Sequence, residues 1–68
     1  MDRDVVGKLG DNMAVVDTNY DLWGKKRYKA GVLKIKMVPK IWCETVGTFT
    51  SEAEARAAAI AALTNGEQ

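Results

Sequence analysis

Up to about residue 50 the apolar residues fall in short runs separated by turn formers, and after it the pattern lengthens into a single block. Asp2 to Leu9 begins charged and then offers Val5, Val6 and Leu9, while Met13–Val16 is an apolar run between Asn12 and Asp17, too short for a helix. Gly10-Asp11 between them supplies the positive φ that a tight hairpin needs, so Asp4–Leu9 is expected to pair antiparallel with Met13–Asp17. Asp17–Gly24, DTNYDLWG, concentrates turn formers and reads as a loop. Around Leu22, its aromatics Tyr20 and Trp23 either cap one end of the core, the commoner use of large rings in a small domain, or stand exposed as contacts.

Gly31–Val38 alternates with period two. Leu33, Ile35 and Met37 fall on one face and Lys34 and Lys36 on the other, the mark of a half-buried strand. Pro39 has no amide to give a ladder and should end that strand, with Pro39-Lys40 as the turn into Lys40–Val46. That last strand carries Trp42 and Val46 on one face and Ile41 and Cys43 on the other, either of which could meet the core.

Gly47 closes the strand, Phe49 returns an aromatic toward the core, and Ser51 with Glu54 forms the S-x-x-E capping box that opens a helix. Glu52 and Glu54 suit the positive end of the helix dipole, Glu52 and Arg56 form an i to i+4 pair, and Asn65-Gly66 supplies the stop. After Arg56 the helix reads AAAIAAL, with no polar side chain on any face before Thr64; Ile60 and Leu63 are expected to anchor it. Either alanine is simply tolerated in water there, or the far side is covered by the N-terminal hairpin, a second copy or a partner. The fold class predicted is α+β: one domain, residues 1–68, with a small antiparallel sheet of three or four strands and one C-terminal helix packed on one face.

Composition changes this picture in two ways. Hydrophobic residues at 47% and charged residues at 28% are ordinary globular usage, so disorder and coiled coil are excluded, although a chain of 68 residues buries only about 60% of its unfolded surface. No apolar run approaches the length of a membrane span and the N-terminus lacks the apolar core of a secretory signal, so a cytoplasmic protein without membrane contact is expected. The net charge of +1 hides a strong polarity. Leu22–Cys43 holds Lys25, Lys26, Arg27, Lys29, Lys34, Lys36 and Lys40 and no acid, which makes it +7; the remainder sets Arg3, Lys8 and Arg56 against all nine acids, which makes it −6.

The residues for catalysis are scarce. With no histidine, an enzyme would have to use carboxylates, lysine or the single Cys43, whose ordinary fate is that of a small buried hydrophobe. Asp11, Asp17 and Asp21 are spaced as turn punctuation, no calcium loop or phosphate-binding glycine pattern is present, and neither a metal nor a cofactor is expected. What remains is the basic ribbon, in which lysines and Arg27 can neutralise phosphates while Trp23 and Tyr28 stack on bases or sugars. Lysines on a strand's solvent face also protect an edge, which is the simpler explanation of the same residues.

GTFTSEAEARAAAIAAL, from Gly47 onward, resembles the end of the Apetala-type or ethylene-response-factor DNA-binding domain, and Trp23-Gly24-Lys25 resembles the W-G-K that opens a strand there. Arm-type DNA-binding domains of tyrosine recombinases are similar in type. The resemblance implies a sheet that reads the major groove with the helix buttressing its back, and contacts drawn from Lys25, Arg27, Lys34, Lys36 and Lys40. In size and type the chain also resembles phage accessory proteins such as anti-CRISPR inhibitors, which implies docking on a larger complex. Two readings follow: a non-enzymatic protein whose basic hairpin docks on nucleic acid, or an inhibitor that binds an acidic or nucleic-acid-binding protein complex, with a homodimer through the alanine-rich helix compatible with either.

Overall fold

The computed structural model describes residues 2–36 and 42–65. Four strands, β1 (Asp2–Leu9), β2 (Asn12–Tyr20), β3 (Lys26–Lys34) and β4 (Trp42–Phe49), are followed by one helix, α1 (Glu52–Asn65). The strands form an antiparallel meander in the order β1-β2-β3-β4, and α1 packs on one face of it. The architecture is therefore the predicted α+β, with the four-stranded form of the sheet. The Pro39-Lys40 turn, Met37, Lys40 and Gly66 lie outside the described residues, as does the setting of the Cys43 thiol.

The expected N-terminal hairpin is present, with Leu9 opposite Asn12 across Gly10-Asp11. Gly10 has φ 61° and Asp11 does not share the positive sign, the combination of a type II′ turn, in which glycine takes the first central position. At the other end of β2 the expectation needs correction: Asp17–Tyr20 is strand, and the loop shrinks to residues 21–25. Propensity in DTNY is overridden because each of these residues gains a ladder partner, from Asp17↔Lys29 to Tyr20↔Lys26.

The inner pair, β2 and β3, keeps one register throughout, whereas both outer strands are irregular. Val6 is the extra residue of a bulge in β1, since Val5 faces Val15 and Gly7 faces Ala14. In β4, Val46 and Cys43 are the extra residues. Bulges twist an edge and spoil it as a template for further strands, so their confinement to β1 and β4 blunts both margins of the sheet. They also end simple alternation in β4, and Gly47, expected to close that strand, lies within it opposite Ala30.

Ala14 and Val16 of β2 and Ala30 and Val32 of β3 meet Ala55, Ala59 and Leu63 of α1, with Val6, Tyr28, Phe49, Ala58 and Ala62 at the margin. Alanine against alanine lets the helix axis lie close to the sheet, and Leu63 is the one large side chain that α1 buries. Side chains alternate along the inner strands, so Val15 and Leu33 belong to the opposite face, yet both are completely buried. The run Ala30–Leu33 is thus buried on both sides, not the half-buried strand that the lysine alternation suggested. β3 stops at Lys34, and Ile35 instead turns, its amide donating to the Asp11 carbonyl at 2.7 Å.

The helix begins as expected: the Glu54 amide donates to Ser51 Oγ at 3.4 Å, the Ala55 amide to the Ser51 carbonyl at 3.1 Å, and Arg56 reaches Glu52 at 3.8 Å. Ile60 does not anchor it. It is 44% exposed at the rim above Gly7, because the buried stripe runs through positions 55, 59 and 63 and leaves position 60 on the next face. Ala53, Ala57 and Ala61 are exposed as well, and the N-terminal hairpin does not cover them, since it lies within the sheet. No described helix is long and apolar enough to cross a membrane.

Candidate nucleic-acid interface

Among the described residues, the β1 ladder ends at Asp2↔Thr18 and the β4 ladder at Tyr28↔Phe49. The β2–β3 hairpin continues past both, so residues 19–27 project as a two-stranded arm beyond the four-stranded sheet. Of the site residues expected from sequence, the arm gathers Trp23, Lys25, Lys26 and Arg27.

Asp21 shapes the tip. Its amide donates to the Lys25 carbonyl at 2.9 Å, and its carbonyl accepts from the Gly24 amide at 3.0 Å. One carboxylate oxygen, Oδ1, accepts from the amides of Trp23 and Lys25, each at 2.9 Å, and Oδ2 meets the Arg27 guanidinium at 3.1 Å. This is an aspartate turn closed from both ends, with Gly24 at φ 78° supplying the left-handed residue that the reversal requires. The Lys25 amide is the largest cause that holds the Asp21 carboxyl below its ordinary pKa; desolvation opposes it, and the Trp23 amide and then Arg27 add to the lowering.

With the loop held this way the large side chains point outward. Leu22 is 95% exposed, Trp23 82% and Tyr20 63%. The core-capping use of these residues is therefore excluded, because the arm carries them away from the sheet's packed face. Asp21, Trp23, Lys25 and Arg27 line a shallow concavity of about 350 Å³ at the tip.

The other expected residues are placed elsewhere. Tyr28 packs beside Phe49 at the margin of the core. Lys29 is half-buried on the face opposite the helix, in a cross-strand row with Asp17 and Arg3. There Arg3 donates to both carboxylate oxygens of the buried Asp17, and this hydrogen bonding raises the guanidinium pKa despite some desolvation. Lys34 is exposed at the end of β3, roughly 26 Å along the strand from Lys26 at ~3.3 Å per residue. Lys36 lies next to that end, 3.7 Å from Asp11. The +7 ribbon of the sequence thus separates into a cluster at the tip and a second group at the far end, with Lys40 outside the described residues.

Leu22, the most exposed apolar side chain of the arm, and Asp21, which shapes its tip, join the candidate site although the sequence pattern singles out neither as a contact. The spacing D-x-W-x-K, which lets one carboxylate take amides two and four positions on, was the available signal. Among the described residues no group of three or more His, Cys, Asp or Glu side chains could hold a metal ion. No family model, curated protein or solved structure matches the chain.

Proposed function

We propose that this is a non-enzymatic cytoplasmic binding protein that docks its projecting β2–β3 arm on a polyanion, most specifically double-stranded nucleic acid. The observation that carries the reading is the arm itself: residues 19–27 extend beyond both edge strands and bear Lys25, Lys26 and Arg27 around an exposed Trp23. A two-stranded ribbon has the width to enter a major groove, cations on it displace condensed counterions, and an exposed indole offers a stacking surface. Arg27 is shared with Asp21, which orients its guanidinium without removing the positive balance of the tip. Lys29 lies outside the arm, in the row with Asp17 and Arg3, while Lys34 and Lys36 form a separate group that a long duplex could reach.

The test is a titration of duplex DNA at low salt. Lys25→Glu with Lys26→Glu is expected to weaken binding by about tenfold or more, since each reversal removes a phosphate contact and adds a repulsion. Lys34→Glu with Lys36→Glu is expected to cost less; an equal or greater loss would move the interface to the far end of β3. No binding by the wild type at low salt would eliminate nucleic acid as the partner.

A second reading is favoured by Leu22, whose near-complete exposure suits a hydrophobic pocket on a protein better than a phosphate backbone. In that case the chain is an inhibitor or regulator of the phage accessory type, and the tip cations meet an acidic or nucleic-acid-binding protein complex. Recovery from a bacterial lysate of one stoichiometric protein, insensitive to nuclease and lost in Leu22→Ala, would decide for it. A second copy bound through Ala53, Ala57, Ile60 and Ala61 is compatible with both readings.

A further inference from the structure

We infer that Leu22 and Trp23 form an apolar wedge that enters between adjacent base pairs, so that the preferred ligand is a duplex with a weakened base step, such as a mismatch, nick or bulge. This rests on the nucleic-acid reading above and names the form of nucleic acid. Leu22 and Trp23 are the two most exposed large apolar side chains among the described residues, and they are consecutive at the apex of the arm. No described strand flanks them, so the apex can approach a helix axis without the body of the sheet colliding first. Lys25 and Lys26 follow after Gly24 and are exposed, so cations stand next to the apex in sequence to meet phosphates beside a step that it opens.

The loop is also organised before any encounter. Asp21 fixes the amides of Trp23 and Lys25 and the carbonyl of Lys25, so presenting the wedge costs little further ordering. Apolar side chains inserted from a groove unstack the step they enter and kink the duplex, and the unstacking is cheapest where pairing or stacking is already defective. A flat stacking contact alone would need Trp23 but not Leu22; insertion uses both.

The decisive experiment compares an intact duplex with the same duplex carrying one mismatch, each with 2-aminopurine beside the central step. The mismatched duplex is expected to bind about tenfold more tightly, with a rise in 2-aminopurine fluorescence that reports unstacking. In Leu22→Ala with Trp23→Ala, affinity for the mismatched duplex should fall to that for the intact one and the fluorescence rise should vanish. The thermal unfolding midpoint should not move, because both side chains lie outside the core. Equal wild-type affinity for the two duplexes, or a preference that survives the double substitution, would overturn the wedge while leaving the docking arm. Binding to neither duplex at low salt would overturn both.

Discussion

Arg3 grips Asp17 with a two-point fork across the β1–β2 ladder, Nε to Oδ1 at 2.7 Å and Nη2 to Oδ2 at 2.9 Å. The two are direct cross-strand partners, and Asp17 in turn faces Lys29 on β3, so a buried carboxylate sits between two cations on the face away from the helix. The guanidinium side is 41% exposed, which limits what the pair contributes. A double-mutant cycle between Arg3→Ala and Asp17→Ala should give a coupling of about 1 kcal/mol in urea unfolding. A coupling near zero would mean that the fork only follows from the strand pairing.

Gly7 and Gly24 make opposite predictions. A Cβ at Gly7 would meet Leu63 Cδ2 at 3.5 Å and Ile60 Cγ1 at 4.0 Å, ordinary contacts that extend the core. Gly7→Ala should therefore stabilise the protein by roughly 0.5–1 kcal/mol, chiefly by reducing the freedom of the unfolded chain. Gly24 has open space around it but sits at φ 78°, so Gly24→Ala should destabilise by about 1 kcal/mol despite the absence of a clash. Chemical denaturation of the two variants checks both signs.

The helix is set in rotation by small side chains. Ala59 is fully buried against the sheet, and Ala59→Leu should cost about 1–3 kcal/mol by overpacking, whereas Ala57→Leu on the exposed face should change stability by less than about 0.5 kcal/mol. Ala57→Glu with Ala61→Glu is also the appropriate test of self-association, because Ala58 and Ala62 border the core. Light scattering that shows dimers dissociated by this pair would establish a second copy on that face; a monomer unaffected by it would remove that copy.

The Asp21 loop should respond to acid. Its carboxyl is held below the ordinary 3.8, with the Lys25 amide as the largest cause, so the folded loop favours the ionised form. The stabilisation is present above the unfolded pKa and disappears as pH falls through the lower folded value. In an NMR titration the amide resonances of Trp23 and Lys25 should shift together with a midpoint below 3.8. Asp21→Asn, which retains an oxygen but no charge, should abolish that titration. A midpoint at or above the ordinary value would contradict the loop geometry.

Most of the fold was legible in residues that do one thing. Gly10 and Ser51 have local jobs, a turn and a cap, and their neighbours in sequence suffice to define them. What was illegible depended on pairing. DTNY looked like a loop because its propensity is local, whereas its strand conformation comes from partners on β3. The bulges at Val6 and Val46 leave no mark in composition, so no count of alternating residues could place them. Alanines hid the helix's orientation, since the same residue faces both water and sheet, and Ile60 therefore looked like an anchor. The basic cluster itself was visible, but its division between arm and far end follows only from where β1 and β4 stop.

The salt dependence of duplex DNA binding tests the central claim most directly. If Lys25, Lys26 and Arg27 displace roughly two to three counterions, the affinity should fall about 10- to 40-fold between about 50 and 200 mM salt, a log–log slope of roughly −2 to −3. Lys25→Glu with Lys26→Glu should flatten that slope by roughly 2. Binding absent at low salt, or present with a slope near zero, would contradict the assignment of the arm as a polyanion-docking element.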